Sequence, residues 1–271
     1  MIHVHPVCHI SARIRDARAP DILEHMFRWM WVFTDRPLPR FERAAEFWCA
    51  VTDTDLSARR GADHEFATFL PRGADACLKL QGVRAGGGAH LDLDVDDVGA
   101  ATRFAVEEHG ARLVHRDGDG LSVLSTPAGQ LFCLTQWKGE TRRPRAVEHA
   151  DCSVSRVDQI CFDIGPDAFD REIEFWSALT GWPLRQTALP GFEEFQRLAV
   201  PDELPMRILL QRLDAPGPAA AHIDIACSDA KRVRAWHEAL GARRVADGRG
   251  WLVMRDPADG VYCLTSRDPD A

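Results

Sequence analysis

His90-Leu91-Asp92-Leu93-Asp94-Val95-Asp96-Asp97 decides the fold, because it returns in the second half of the chain as His222-Ile223-Asp224-Ile225-Ala226-Cys227-Ser228-Asp229. Its alternation marks a half-buried strand, with His90, Asp92 and Asp94 on one face and Leu91, Leu93 and Val95 on the other. Other segments recur at nearly the same offset. Glu46-Phe47-Trp48 is matched by Glu174-Phe175-Trp176, Gly110-Ala111-Arg112 by Gly241-Ala242-Arg243, and Cys133-Leu134-Thr135 by Cys263-Leu264-Thr265. Repetition on this scale is the signature of a duplicated half-length domain. The polar residues recur with the apolar ones, so a pocket lined by His and Cys is expected in both copies.

Around the repeated strand the period switches between two and 3.6 residues. Trp29-Met30-Trp31-Val32-Phe33 reads as a buried strand, and Arg40 to Val51 as a helix with Phe41, Ala44, Ala45, Trp48 and Val51 on one face. Strand signals follow at Glu65–Leu70 and Ala76–Val83, and Gly86-Gly87-Gly88 interrupts the chain. A second round has the His90–Val95 strand, a helix from Val98 to His109, and strands at Arg112–His115, Leu121–Ser125 and Leu131–Gln136. The second copy keeps this order, with Phe169, Ile173, Trp176 and Leu179 on its first helix and Val233, Trp236 and Leu240 on its second. The expected organisation is a leader over 1–27, a first domain over 28–137, a charged, proline-containing linker over 138–154 and a second domain over 155–271. Trp48 and Trp176 are expected in the core. The leader carries His3, His5, Cys8 and His9. It reads either as a metal-binding tail or as a poorly ordered segment ahead of a start at Met26 or Met30, and the second is favoured.

Composition narrows the function. The 271 residues are 45% hydrophobic and 27% charged, which suits two globular domains that each bury a core. A net charge of −8 argues against nucleic acid as a partner. No run reaches the roughly 18 apolar residues of a membrane helix, and the first residues lack the plan of a signal peptide. A cytoplasmic protein is expected, self-sufficient as a monomer or paired as a homodimer. The eight cysteines form no Cys-x-x-Cys pair and lie mostly in apolar runs, so reduced thiols are expected.

A strand, a helix and three strands, twice per domain, resembles the vicinal oxygen chelate superfamily, which includes glyoxalase I, extradiol dioxygenases and bleomycin-resistance proteins. The resemblance is carried by the His90 and His222 strands and by two endings. These are Thr126-Pro127-Ala128-Gly129-Gln130-Leu131-Phe132-Cys133-Leu134 and Asp256-Pro257-Ala258-Asp259-Gly260-Val261-Tyr262-Cys263-Leu264. It covers nearly the whole chain beyond the leader and looks most like an actinobacterial-type glyoxalase-like branch. It implies an α+β fold of two tandem glyoxalase-like domains, each of two βαβββ modules, with sheets curled around a concave pocket and helices outside. In enzymes of this superfamily a metal is held by His or Gln from each opening strand and by Glu from each closing strand. Those positions map here to Trp31, His90, Gln159 and His222, and to Gln81, Cys133, Gln211 and Cys263. Cysteine stands where the enzymes carry their carboxylate, and Trp31 removes a ligand from the first domain.

Three kinds of site are compatible with these residues. Gln159, His222 and Cys263 form a candidate set for a divalent ion such as Zn, Fe, Ni or Mn, weakened by a thiol that must first lose its proton. His222 oriented by Asp224 makes a candidate general base, with Cys263 as nucleophile. Alternatively His90 and His222 are hydrogen-bonded structural residues, with Asp92 and Asp224 bracing neighbouring strands. Trp31 on the concave face would make an aromatic slot in the first domain, and Trp251 replaces Leu121 at the corresponding place in the second. The favoured expectation is recognition of a small organic molecule, aromatic or planar, with no catalytic metal, as in antibiotic-sequestering relatives. The competing expectation is a metal-dependent lyase, isomerase or dioxygenase centred on Gln159 and His222. A third is a degenerate structural or partner-binding domain, most plausible for the first repeat.

Overall fold

The computed structural model describes residues 26–84, 87–185 and 192–270. The His- and Cys-containing leader lies outside them, apart from Met26 and Phe27. The first domain runs β1 (Phe27–Pro37), α1 (Phe41–Thr52), β2 (Thr54–Leu56), β3 (Phe66–Pro71) and β4 (Leu78–Val83). It continues with β5 (Gly88–Val95), α2 (Val98–Glu107), β6 (Arg112–Asp117), β7 (Leu121–Ser125) and β8 (Leu131–Gln136). A short β9 (Val147–Glu148) precedes β10 (Val154–Ile164), α3 (Phe169–Thr180), β11 (Leu184–Arg185), β12 (Phe195–Leu198) and β13 (Arg207–Arg212). The chain closes with β14 (Ala220–Cys227), α4 (Ala230–Ala239), β15 (Arg243–Asp247), β16 (Trp251–Arg255) and β17 (Val261–Thr265).

The strands form two curved sheets, ordered β2-β3-β4-β1-β5-β8-β7-β6 and β11-β12-β13-β10-β14-β17-β16-β15, with β9 added to β10. In each sheet the two modules meet through their opening strands, which pair antiparallel at the centre. Trp31 faces Asp92 and Phe33 faces His90 across that pair. The order of elements is therefore α+β with four βαβββ modules, as the duplicated pattern implies. The apolar side of the His90 strand is sealed, with Leu91 and Leu93 fully buried. Among the described residues no helix is long and apolar enough to cross a membrane.

The helices reveal something the periodicity does not. One face of α1 was expected to be buried, but Phe47 is buried as well as Phe41, Ala44, Ala45, Trp48 and Val51. The reason is that α1 lies between its own sheet and the other domain. Phe47 meets His237 of α4 edge-on at 5.6 Å, and Trp48 meets Tyr262 of β17 at 5.2 Å. In the reciprocal contact, Phe175 and Trp176 of α3 pack on Phe132 of β8 at 5.8 and 5.2 Å. Each domain thus lends its first helix to the other's closing module.

An ion pair fixes this exchange. Arg36 at the end of β1 donates its Nε to Asp256 at 2.6 Å, and both side chains are at most 1% exposed. Asp256 also accepts from Trp48 Nε1 at 3.0 Å and from the backbone N–H groups of Ala258 and Gly260 at 2.8 and 2.9 Å. A Cβ on Gly260 would lie 1.9 Å from the Arg36 guanidinium, so only glycine permits the approach. The matching contact uses Glu172 of α3, which accepts from Trp176 Nε1 at 3.0 Å and from Ala128 N–H at 2.9 Å. Burial holds the Glu172 carboxyl above its ordinary value. The two interfaces share a Trp–carboxylate bond, with the acid supplied from opposite sides.

The charged, proline-containing linker is tied down at several points. Asp75 accepts from the backbone N–H groups of Thr141 and Arg142, both at 2.8 Å, and Arg143 donates to the backbone carbonyl of Asp202.

Candidate functional site

Alternation places His90, Asp92 and Asp94 on the concave side of β5, and the register brings Trp31, Phe33 and Asp35 of β1 against them. The floor of the first pocket is an Asp–His–Asp arrangement. His90 Nδ1 lies 2.9 Å from Asp35 and its Nε2 3.8 Å from Asp92. Burial opposes charge on His90, but the hydrogen bond to Asp35 and the nearby carboxylates raise its pKa above the ordinary 6.5.

Above this floor the pocket is filled by its own side chains. The Phe33 ring stacks on His90 at 4.4 Å, and the Lys79 ammonium sits 3.9 Å from the Trp31 ring centre and 4.9 Å from that of Phe33. Trp31 Nε1 donates to Asp94 at 2.8 Å, and Thr135 donates to the other oxygen of Asp94. Burial, against those two hydrogen bonds, pushes the Asp94 carboxyl up to about 6. The expected aromatic slot is therefore corrected, since the face of Trp31 that a ligand would stack on is occupied by Lys79.

The second domain repeats the floor and omits the filling. His222 Nδ1 is 2.9 Å from Asp163 and its Nε2 is 3.3 Å from Asp224. Gln159 Nε2 donates to the second oxygen of Asp224 at 2.5 Å. Cys161 replaces Phe33, and its Sγ lies 3.8 Å from Gln211 Oε1. Cys263 faces Asp224 in register on β17, as Cys133 faces Asp92 on β8. Where Lys79 fills the first pocket, Leu209 stands in the second, and a cavity of about 650 Å³ opens between Phe195, Trp251, Leu209 and His222. That volume suits a small organic ligand. Phe195 and Trp251 meet edge-on at 5.6 Å, and Arg249 covers the Phe192 ring at 4.9 Å.

The protonation states follow from these contacts. Burial works against the charge on His222, yet the carboxylates of Asp163 and Asp224 beside it outweigh that and hold the imidazole well above 6.5. Burial pushes the Cys161 thiol up to about 12, while Cys133 and Cys263 are likewise raised, chiefly by burial. The expected residues thus divide into Trp31, Gln81, His90, Asp92 and Cys133 around one floor, and Gln159, Gln211, His222, Asp224 and Cys263 around the other. The register revises one assignment. Because Phe33 follows Trp31 by two residues as Asp92 follows His90, the closing-strand residues paired with Phe33 and Cys161, and so equivalent to Cys133 and Cys263, are Lys79 and Leu209. Gln81 and Gln211 lie two residues further on, opposite Asp35 and Asp163.

Asp35 and Asp163 were not among the expected site residues, although they sit four positions after Trp31 and Gln159 on the same strand face and themselves recur. Arg267 was also missed. It pairs with the buried Asp158 and reaches within 3.9 Å of Asp224. No sequence pattern announces it, because the contact joins the segment after β17 to the first strand of its domain.

Donor atoms do converge on both floors. His90, Asp92 and Cys133 offer one set; Cys161, Asp163 and His222 another; and His222, Asp224 and Cys263 a third, each within 4.8 Å. They fit a divalent ion poorly. Both nitrogens of each imidazole face a carboxylate, and each pocket already carries a fixed cation near its carboxylates, Lys79 or Arg267, although one buried oxygen each of Asp92 and Asp224 accepts no hydrogen bond. A metal would have to displace two protons and sit beside that charge.

The model of the glyoxalase-like domain family matches residues 31–135 and 159–265. A search of curated sequences finds no match. Among solved structures, 2,2',3-trihydroxybiphenyl 1,2-dioxygenase from Sphingomonas wittichii is 14% identical with a TM-score of 0.61, covering 89% of this chain and 90% of that one. The 2,3-dioxygenase LapB from Pseudomonas sp. KL28 is 12% identical with a TM-score of 0.62, covering 89% of this chain and 93% of that one. An extradiol ring-cleaving dioxygenase from B. fuscum is 12% identical with a TM-score of 0.59, covering 90% of this chain and 72% of that one. At such identities the likeness concerns the fold. With both repeats matched over most of their length, the chain belongs to the glyoxalase-like domain family and, through it, to the vicinal oxygen chelate superfamily.

Proposed function

We propose that the second domain recognises a small organic molecule with a planar apolar body, and that neither domain works through a resident metal ion. The observation that carries this is the contrast between two matching floors. The first is capped by Phe33, Trp31 and Lys79, while the second lies under a cavity of about 650 Å³ walled by Phe195 and Trp251. The charged network of His222, Asp163, Asp224 and Arg267 then serves as a fixed polar base that orients the ligand. The first domain becomes a structural partner, and the protein resembles the sequestering members of the superfamily more than its metalloenzymes. The Phe-Trp helices and the Cys-Leu endings further suggest the actinobacterial-type branch.

A second reading rests on one observation, the convergence of His222, Asp224 and Cys263 donors within 4.8 Å. It makes the same pocket a metal-dependent lyase, isomerase or dioxygenase. Metal analysis of freshly purified protein, combined with titration of the neutral planar probe N-phenyl-1-naphthylamine, separates the two. Metal-free recognition requires sub-stoichiometric transition metal and a probe affinity that falls about tenfold in Trp251→Ala, the equivalent of about 1.4 kcal/mol, but not in Trp31→Ala. One metal per chain that disappears in His222→Ala would overturn it, as would a probe indifferent to Trp251→Ala.

A further inference from the structure

The chain carries a net charge of −8, yet the second cavity is lined by Arg185, Arg197 and Arg249 in addition to Arg267 at its floor. Two of these face each other directly. Arg185 of β11 is the register partner of Arg197 of β12, an arrangement of like charges that destabilises a strand pair. The row continues across the sheet through Leu209 and Cys161 to His222, so both arginines stand on the face that holds the pocket. The matching row of the first domain runs from His90 through Phe33 and Lys79 to Thr68, whose hydroxyl accepts from Arg60 at 2.8 Å, one arginine where the second domain sets two in register.

Arg185 and Arg197 also line a second, smaller cleft of about 130 Å³, where Arg143, Arg156 and Arg207 outnumber the two acids, Asp158 and Asp202. The cavity and the cleft therefore adjoin, with this arginine pair as their common wall. Most nearby acids are already engaged. Asp158 is shared by Arg267 and Arg207, and Glu194 is held by Arg249. Among the described residues no carboxylate forms an ion pair with Arg185 or Arg197. The stretch that follows Arg185, Gln-Thr-Ala-Leu-Pro-Gly over 186–191, contains no charged residue. Burial and then the proximity of Arg207, Arg185 and Arg267 hold the Arg197 guanidinium below its ordinary value. Two arginines in register, with no ion-pair partner among the described residues, suit the charge of an oxyanion.

Taking the second cavity as a ligand site, as above, we propose that its ligand is an amphiphilic anion. The planar apolar head packs on the wall formed by Phe195 and Trp251, and a multiply charged arm of phosphate or carboxylate oxygens reaches Arg185 and Arg197 and the adjoining cleft of Arg156 and Arg207.

Calorimetric titration with inorganic pyrophosphate, and separately with citrate, tests the arm at low ionic strength. At least one of the two anions should bind wild-type protein, weaken as sodium chloride is raised, and lose at least tenfold affinity in the double variant Arg185→Gln/Arg197→Gln. The tighter of the two identifies the oxyanion. The exposed first-domain pair Arg43→Gln/Arg103→Gln should bind as wild type does. Because the double variant relieves repulsion, its melting temperature should equal or exceed that of wild type, so lost binding cannot be mistaken for unfolding. Failure of both anions to bind, or equal binding by the double variant, overturns the proposal. If the neutral naphthylamine still depends on Trp251 in that case, the cavity stands and only the anionic arm is lost. If instead an anion binds through Arg185 and Arg197 while Trp251→Ala leaves the naphthylamine unchanged, the arm stands and the apolar head site falls.

Discussion

Replacing Asp256 by alanine should be among the most destabilising single changes in this protein, although Asp256 lies outside both pockets. The carboxylate accepts four hydrogen bonds, from Arg36 Nε, Trp48 Nε1 and the N–H groups of Ala258 and Gly260. Arg36 retains two backbone acceptors, Asp35 and Gly88, each at 2.8 Å, but these carry no formal charge. Asp256→Ala therefore strands a guanidinium in a site 1% exposed. Removing one partner of a buried pair costs about 3–5 kcal/mol, mostly from the uncompensated charge. At about 2–4 °C per kcal/mol for a chain of this size class, the melting temperature should fall by about 6–20 °C. Urea and thermal unfolding followed by tryptophan fluorescence would measure it. Arg36→Met in the Asp256→Ala background removes the stranded charge, so a double-mutant cycle should show coupling of at least about 2 kcal/mol. Asp256→Asn supplies a milder variant should the alanine variant fail to accumulate. A loss below about 1 kcal/mol in Asp256→Ala, or a cycle without coupling, would refute the idea that this pair holds the exchanged helices in place.

Two further outcomes concern the pocket floors. The folded-state pKa of His222 lies well above 6.5, so its stabilising contribution should be full below pH 6.5 and vanish as pH rises through the folded value. Imidazole NMR titration with stability measurements from pH 6 upward would show this, and a His222→Gln variant whose pH profile matches wild type would contradict it. In the first domain Asp94, at about 6, accepts from Trp31 Nε1, so tryptophan emission should titrate with a midpoint near pH 6. Folding disfavours the ionised carboxylate here, so this group costs stability as pH rises from its ordinary 3.8 through about 6. The emission change should be absent in Asp94→Asn; its persistence there would assign it elsewhere.

Most of the architecture could be read from local pattern. Alternation in His90–Val95, the apolar face of α1 and the repeated Cys-Leu-Thr endings each follow from periods set by backbone geometry. The same alternation placed His90, Asp92, His222 and Asp224 on concave faces. It would also have found Asp35 and Asp163, had it been carried four residues along each opening strand. The short strand β2 was missed because three residues offer too little period to detect.

What the sequence by itself determined is the duplication, the α+β modules and the repeated His, Asp and Cys positions, because these depend on neighbours two to four residues apart. Tertiary structure alone decided the rest. Whether a pocket is open depends on a residue from an adjacent strand, Lys79 or Leu209, and whether a floor carries a fixed cation depends on Arg267 arriving from the end of the domain. Burial of Phe47 likewise depends on His237 and Tyr262 in the other domain. Desolvation and charge act through space over a few ångströms. The two floors have nearly the same local sequence, yet one is filled and the other faces a cavity ringed by arginine.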